Sequence, residues 1–281
     1  MLIGQITDLH IRADRTPAFG VADTSAALEA LEDWLFRLKP PLDGLVMTGD
    51  LADCGEMGAY DFIENLFSRW TAPVFALPGN HDGRSSFAKG LKPFCPASNQ
   101  ENLSYFVSLG TLKLIMLDDV LEGQTGGFLS PTAAECLKRG LREDPKEHTI
   151  VFSHHPPFSS GLGALDEPFG GREELFKLLS NHPGHLTLSC GHLHQGLVSD
   201  LKTNGSEPIR TVVAPPASMP IALEIGPHGG LKFFLGPPGF ALHLLENDRL
   251  ISLFGAVPGK FPSSGPHYFD QNHNSLNLGL A

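Results

Sequence analysis

Short apolar runs that end in a tight turn and then present Asp, Asn or His most constrain what this chain can fold into. The run Pro73-Val74-Phe75-Ala76-Leu77 passes directly into Pro78-Gly79-Asn80-His81-Asp82, so an amide, an imidazole and a carboxylate follow one buried segment. Thr7-Asp8-Leu9-His10, Thr48-Gly49-Asp50, Ser153-His154-His155-Pro156-Pro157 and Gly191-His192-Leu193-His194 repeat the pattern, each behind its own apolar run. Near-continuous apolar strands are typical of sheets covered on both faces. Strand ends of this kind would bring their polar side chains together at one sheet edge.

Between the runs lie amphipathic stretches, as expected for βαβ units. Strands are expected at residues 2–7, 44–48, 74–77, 112–117, 149–153 and 186–189. Helices are expected at 24–38, 56–70, 131–141 (with Pro131 at the first helical position) and 171–179. From about Ile209 onward the pattern changes to short strands near 211–214, 241–245 and 251–254, separated by Gly and Pro turns. These complete a mixed sheet, so a single domain over residues 1–257 is expected. Residues 258–281, rich in Pro, Gly, Ser and Asn, read as an irregular tail, and docking of that tail on a partner subunit would make a homo-oligomer, dimer or larger. Loops after Gly161 and Phe94 are long enough to overhang a site.

A chain of 281 residues buries a substantial core. Its formal net charge of −11 argues against binding duplex nucleic acid or an anionic membrane surface, both of which select a basic face. A phosphate-bearing substrate would need positive charge supplied locally, and bound metal ions would supply it. No apolar run reaches the length of a transmembrane helix. The N-terminus enters a strand at once, without the pattern of a signal peptide, so a cytoplasmic location is expected. Cys54, Cys95, Cys136 and Cys190 form no CxxC pair and read as free thiols.

The ligand-capable groups at the strand ends are Asp8, His10, Asp50, Asn80, His81, Asp82, His154, His155, His192 and His194. Oxygen and imidazole donors without thiolate suit divalent or trivalent first-row metals such as Mn, Fe, Co, Ni or Zn. Asp-x-His and His-x-His place alternate residues on one side of an extended segment. A catalytic metal takes about three protein ligands, so this set exceeds the needs of one ion. Two ions sharing a carboxylate account for the surplus and form a clamp suited to displacement at phosphorus. His155 reads equally as a structural hydrogen-bonding residue or a substrate contact, and Asp53 and Asp82 as turn or cap residues. Isolated His148, His182, His185, His228 and His243, and the aromatics Phe233, Phe234 and Phe261, read as packing or surface positions.

Taken in order, Asp8-x-His10, Gly49-Asp50, Gly79-Asn80-His81-Asp82, His154-His155-Pro156-Pro157 and Gly191-His192-x-His194 resemble the motif blocks of the calcineurin-like metallophosphoesterase superfamily. The chain is most similar to its bacterial branch of class III cyclic-nucleotide phosphodiesterases and glycerophosphodiesterases. That resemblance implies a four-layer αββα sandwich of two mixed β-sheets flanked by helices, with a dinuclear metal site at strand C-terminal ends. It implies that Asp8, His10 and His194 hold one ion, that Asp50 bridges, and that Asn80, His154 and His192 hold the second. His81 would stay outside the ligand set as the catalytic acid, and Asp82 would orient a neighbouring group. The implied cofactors are two first-row ions (Mn, Fe, Co or Zn). The implied activity is hydrolysis of small soluble phosphodiesters, 3′,5′-cyclic nucleotides or glycerophosphodiesters, by a metal-bound hydroxide. A phosphomonoesterase of the same fold, and a scaffold that has lost catalysis, are the alternatives.

Overall fold

The computed structural model describes residues 1–98, 101–143, 146, 148–202, 208–227, 229–269 and 275–276. Two large mixed sheets face each other. The first is five-stranded, in the order Arg249–Ala256, Gly239–Glu246, Leu2–Ile6, Gly44–Thr48, Val74–Leu77. Its last three strands run parallel, and Gly239–Glu246 joins Leu2–Ile6 antiparallel. The second is six-stranded, in the order Leu197–Leu201, Ile209–Val213, His185–Cys190, His148–Ser153, Leu112–Leu117, Tyr105–Leu109. Its four inner strands are parallel and its two edges antiparallel.

The side-chain period of two in a strand sorts the second sheet cleanly into inner and outer faces. Leu114, Met116, Ile150 and Phe152 point inward and share one core with Ile3, Leu45 and Val46 of the first sheet. Ile115, Leu117 and Val151 point outward and pack on Leu137 and Leu175 of the helices Pro131–Arg142 and Arg172–Ser180. On the far side, helices Thr24–Phe36, Met57–Phe67 and Arg84–Gly90 cover the first sheet through Leu28, Leu31, Leu35, Tyr60, Ile63 and Phe87. The result is the expected αββα sandwich. Each fully buried Leu, Ile or Phe contributes about 1.5–3 kcal/mol from area removed from water.

Local signals mark where the elements start and turn. Asp23 accepts from Ala26 N at the start of the first helix, and Ser130 from Ala133 N ahead of Pro131. Asn247 and Asp248 both take left-handed backbone, which suits the two-residue turn joining Gly239–Glu246 to Arg249–Ala256.

Polar groups also cross between the sheets. Gln5 Nε2 donates to Thr48 Oγ1 (3.0 Å) and to the Cys190 carbonyl (3.2 Å), while its Oε1 accepts from Ser189 Oγ (2.6 Å) and lies 2.9 Å from His243 Nε2. His243 Nδ1 lies 2.8 Å from Ser252 Oγ. Because Gln5 Oε1 can only accept, Nε2 carries the proton and Nδ1 accepts from the serine hydroxyl.

Several elements differ from expectation. Tyr105–Leu109 and Leu197–Leu201 are edge strands, half exposed, and so lack the apolar run that marks the central ones. Residues 258–281 are not irregular throughout: Ser264–Phe269 pairs with Lys232–Leu235 in a small separate sheet. That strand opens with Ser264-Gly265-Pro266 and has apolar side chains only at Tyr268 and Phe269, which hides the strand pattern. Beyond Phe269 that segment, apart from 275–276, lies outside the described residues. Among described residues no helix is long and apolar enough to cross a membrane, and the four cysteines are free thiols.

Burial pushes the His243 imidazole down to about 4. Its folded value is depressed, so its contribution to stability is complete above the unfolded value near 6.5 and is lost as pH falls through about 4. Urea unfolding at pH 7 and pH 4.5 is expected to show wild type losing on the order of 2–3 kcal/mol more than His243→Leu over that interval. Parallel losses in the two proteins would show that His243 is not held neutral.

Candidate metal centre

The C-terminal ends of strands from both sheets meet at one edge, and there the backbone is bent to aim side chains inward. Asp8, His10, Asp50, His192 and His194 all have positive φ, between 48° and 70°. For residues other than glycine that conformation costs about 1–3 kcal/mol and concentrates at functional sites. Glycines let the turns approach each other. A Cβ at Gly79 would overlap Asp50, and one at Gly49, whose φ is 92°, would overlap the His154 ring.

The converging donors form overlapping buried clusters. Asp8, His10 and His194 make one; Asp8, Asp50 and His154 a second; His154, His155 and His192 a third; and His10, Asp53 and His81 a fourth. Within them, His10 Nε2 lies 3.0 Å from His194 Nε2, His154 Nε2 lies 3.3 Å from Asp50 Oδ2, and His194 Nε2 lies 3.7 Å from Asp8 Oδ1.

Ring tautomers show what these nitrogens can do. His154 Nδ1 lies 2.9 Å from the Thr48 carbonyl and His194 Nδ1 2.8 Å from the Met219 carbonyl. His10 Nδ1 faces Asp53 Oδ1 at 3.4 Å. Each of these partners accepts, so each Nδ1 holds a proton, and at His10 and His194 the Nε2 atoms turn lone pairs to the centre. Those two lone pairs, 3.0 Å apart, repel unless a cation stands between them. His192 Nε2 is buried without a hydrogen-bond partner among the described residues, a costly state that a metal bond would relieve. The donor set therefore fits cations, with each imidazole oriented from behind as metal-binding histidines are.

Electrostatics point the same way. Burial opposes the charge on Asp50, yet the imidazoles of His154, His81 and His10 outweigh it and hold the carboxyl well below the usual range. Burial lifts the Asp8 carboxyl, with His154 acting in the opposite direction. On His154, burial is overcome chiefly by Asp50 and then Asp8, which raise the imidazole to about 10: the carboxylates draw positive charge into the site. Burial keeps His194 down at about 4, and burial with neighbouring imidazoles keeps His192 well below its ordinary value. For His81, burial is likewise overcome, chiefly by Asp50, and its imidazole lies above its ordinary value.

Asp8, His10, Asp50, Asn80, His81, His154, His192 and His194 thus gather at one place, as the strand-end reading anticipates. Asn80 and His81 are half buried while the other six are buried, so the centre opens to solvent on their side. His81 donates its backbone N–H to Asp50 Oδ1 (2.8 Å), and its Nδ1 lies 2.9 Å from the Asp53 carbonyl. Three further residues take more definite places than the sequence suggests. Asp82 is no simple turn residue: its carboxylate accepts from Gly79 N, Leu51 N, Ala52 N and Tyr60 Oη, tying two strand ends together. Asp53 faces His10 and accepts from Arg12. His155 bonds Asp119 and Asn80. The acidic pair Asp118-Asp119, which follows the strand Leu112–Leu117 in the same manner as the other motifs, is the signal that sequence reading missed. His148 and His185 stack at the opposite, N-terminal ends of their strands, away from the centre. His228 lies outside the described residues.

Comparison with known proteins agrees with this geometry. The calcineurin-like phosphoesterase family profile matches residues 1–196. A probable glycerophosphodiester phosphodiesterase GpdQ of Arcobacter nitrofigilis is 27% identical over 270 residues, covering 95% of this chain and 97% of that protein. The 3′,5′-cyclic adenosine monophosphate phosphodiesterase CpdA of Escherichia coli K12 is 31% identical over 228 residues, covering 80% and 77%. Among solved structures, a dimetal phosphatase from Danio rerio superposes with a TM-score of 0.67 at 15% identity, covering 94% of this chain and 98% of that one, and shares the fold.

The Asp82 carboxylate is a junction whose bonds can be removed in steps. Tyr60→Phe removes one donor and is expected to cost about 1 kcal/mol, whereas Asp82→Ala strands three buried backbone N–H groups and is expected to cost about 3 kcal/mol or more. Urea unfolding at neutral pH checks the gradation; equal losses in the two variants would show that the backbone bonds contribute little.

Proposed function

The chain belongs to the calcineurin-like phosphoesterase family, and on that premise we propose that its strand-end centre hydrolyses small soluble phosphodiesters. The activity is that of a metal-dependent phosphoric diester hydrolase. The observation that carries the reading is the convergence of overlapping buried donor groups, one of Asp8, His10 and His194 and two that share His154, with Asp8 and Asp50 in one and His155 and His192 in the other, and with the Nε2 atoms of His10 and His194 aimed at each other. Diesters are favoured over monoesters because relatives that align along most of this chain are named as phosphodiesterases. The catalytic unit is assigned to residues 1–257, since Gly239–Glu246 pairs with Leu2–Ile6 and Val257 is buried in the same core as Ile3.

In this reading Asp8, His10 and His194 hold one ion, Asp50 bridges, and Asn80, His154 and His192 hold the other. Mn, Fe, Co and Zn all suit the donors. When bound, such ions lower the pKa of coordinated water towards neutrality and offset charge on phosphoryl oxygens. The protein's own groups do the rest. Asp53 fixes the His10 ring through Nδ1, while the Thr48 and Met219 carbonyls fix those of His154 and His194. Preorganised in this way, the ligands need no rearrangement as charge develops. His81 stands at the open side, its ring 4.8 Å from that of His10. With Nδ1 against the Asp53 carbonyl, a proton passing to the leaving alkoxide comes from Nε2.

Protein stripped of metal and reloaded with Mn²⁺ is expected to give a kcat/KM for an aryl phosphodiester well above that for the matching monoester. A ratio below one would make the protein a phosphomonoesterase, and no turnover with any first-row ion would favour a scaffold. Asp50→Ala is expected to lose bound metal together with turnover; two ions retained in that variant would remove Asp50 from the bridge. His81→Ala is expected to keep both ions while kcat falls by roughly 10²- to 10⁴-fold, and an unchanged kcat would exclude His81 as the acid.

A further inference from the structure

At the end of the sandwich opposite the metal centre, the gap between the two sheets opens into a cleft of about 920 Å³. His148 and His185 begin the neighbouring parallel strands His148–Ser153 and His185–Cys190, where they are partners in register on the inner face that also carries Ile150 and Phe152. Their rings stack 4.9 Å apart, 23° from parallel. His148 is 4% exposed, yet neither of its ring nitrogens has a hydrogen-bond partner among the described residues. Polar groups are costly to bury unpaired, so an imidazole in this state at the wall of a cleft asks for a ligand. His182 adds a second buried ring nitrogen without a partner, Nδ1, while its Nε2 lies 3.3 Å from Thr149 Oγ1.

The lining is rich in donors, although the chain carries a net charge of −11. Among its described residues are three histidines, two arginines and a single carboxylate, Asp248. Arg210 comes from the strand Ile209–Val213 of the six-stranded sheet, and Arg249 from the hairpin of the five-stranded sheet. Asp200 accepts from Arg210 Nε at 2.7 Å, which leaves the Nη groups of that guanidinium for another acceptor. Guanidinium N–H groups match the oxygens of phosphates and carboxylates. Donors that arrive from both sheets and from His148 between them suit a tetrahedral oxyanion better than a planar carboxylate. Apolar lining residues such as Leu186 and Ile251 leave room for an attached organic group. We propose that this cleft binds a small phosphate-bearing anion, with Arg210 and Arg249 gripping the phosphoryl oxygens and a ring N–H of His148 donating from the buried end. The strand His148–Ser153 sets the cleft about 20 Å from His154, so the inference does not depend on the reading of the metal centre.

The test is ¹⁵N-histidine NMR of the full-length protein loaded with Zn²⁺, a diamagnetic ion, and titrated with inorganic phosphate at constant ionic strength. The ring signals of His148 and His185 are expected to shift saturably. Arg249→Gln and Arg210→Gln, both at exposed positions, are each expected to raise the half-saturation concentration by roughly 10-fold. Phenyl phosphate, titrated in parallel, separates two sources of the same chemistry: tighter binding than inorganic phosphate assigns the cleft to an organic monoester, and equal binding assigns it to free phosphate. Shifts confined to the strand-end histidines of the metal centre, an unchanged half-saturation in both arginine variants, or equal shifts with chloride would overturn the proposal. Movement of the His148 and His185 signals on adding Zn²⁺ beyond the amount that saturates the metal centre, with none on adding phosphate, would make the cleft a cation site instead.

Discussion

Carboxylates and imidazoles packed together away from water have to balance their charge among themselves, and the rest of the molecule is arranged around that requirement. Asp8 and Asp50 are buried beside His10, His154, His192 and His194. Isolated buried charges are prohibitively costly. Here the carboxylates are offset in part by imidazoles they hold positive, as at His154. Lone pairs that still face one another across the centre ask for cations. A site of this kind binds metal because its own electrostatics are incomplete without it.

Such a centre works only if its groups cannot relax apart, and the fold secures this by several independent means. Parallel strands from each sheet end at one edge, which brings the ligands into range. Asp82 ties the turn at Gly79 to the backbone at Leu51 and Ala52. Gln5 joins the two sheets through Thr48, Ser189 and Cys190, immediately beneath the strand ends that carry Asp8, Asp50 and His192. Left-handed backbone at the ligand positions shows the cost of this arrangement. The surrounding core, filled by Leu, Ile and Phe from both sheets, is large enough to bear it.

The same asymmetry that closes the centre also opens it. Asn80 and His81 lie at the half-buried side, whereas the other ligand candidates are enclosed. A phosphodiester approaching a chain of net charge −11 meets general repulsion, so attraction is confined to the metal edge. That arrangement suits a small ligand that enters a cleft and disfavours a polyanion lying across a surface.

The αββα sandwich and the gathering of Asp8, His10, Asp50, Asn80, His81, His154, His192 and His194 were legible from the chain alone. Both depend on local patterns: apolar runs of strand length, a turn after each, and polar residues at fixed spacing beyond. Edge strands such as Tyr105–Leu109 and the strand Ser264–Phe269 were not legible, because one-sided burial or interspersed Gly and Pro erases the run that announces a strand. Nor did local pattern reveal which acceptor stands behind each imidazole. Met219 for His194, Thr48 for His154 and Asp119 for His155 are partners brought together from separate elements, and no spacing in the sequence encodes them. Which donor groups converge was therefore a property of the sequence, since each motif carries its own donors on its own strand end. The orientation of those donors was decided by tertiary structure, since a ring's tautomer follows from whatever acceptor the packed fold places behind it.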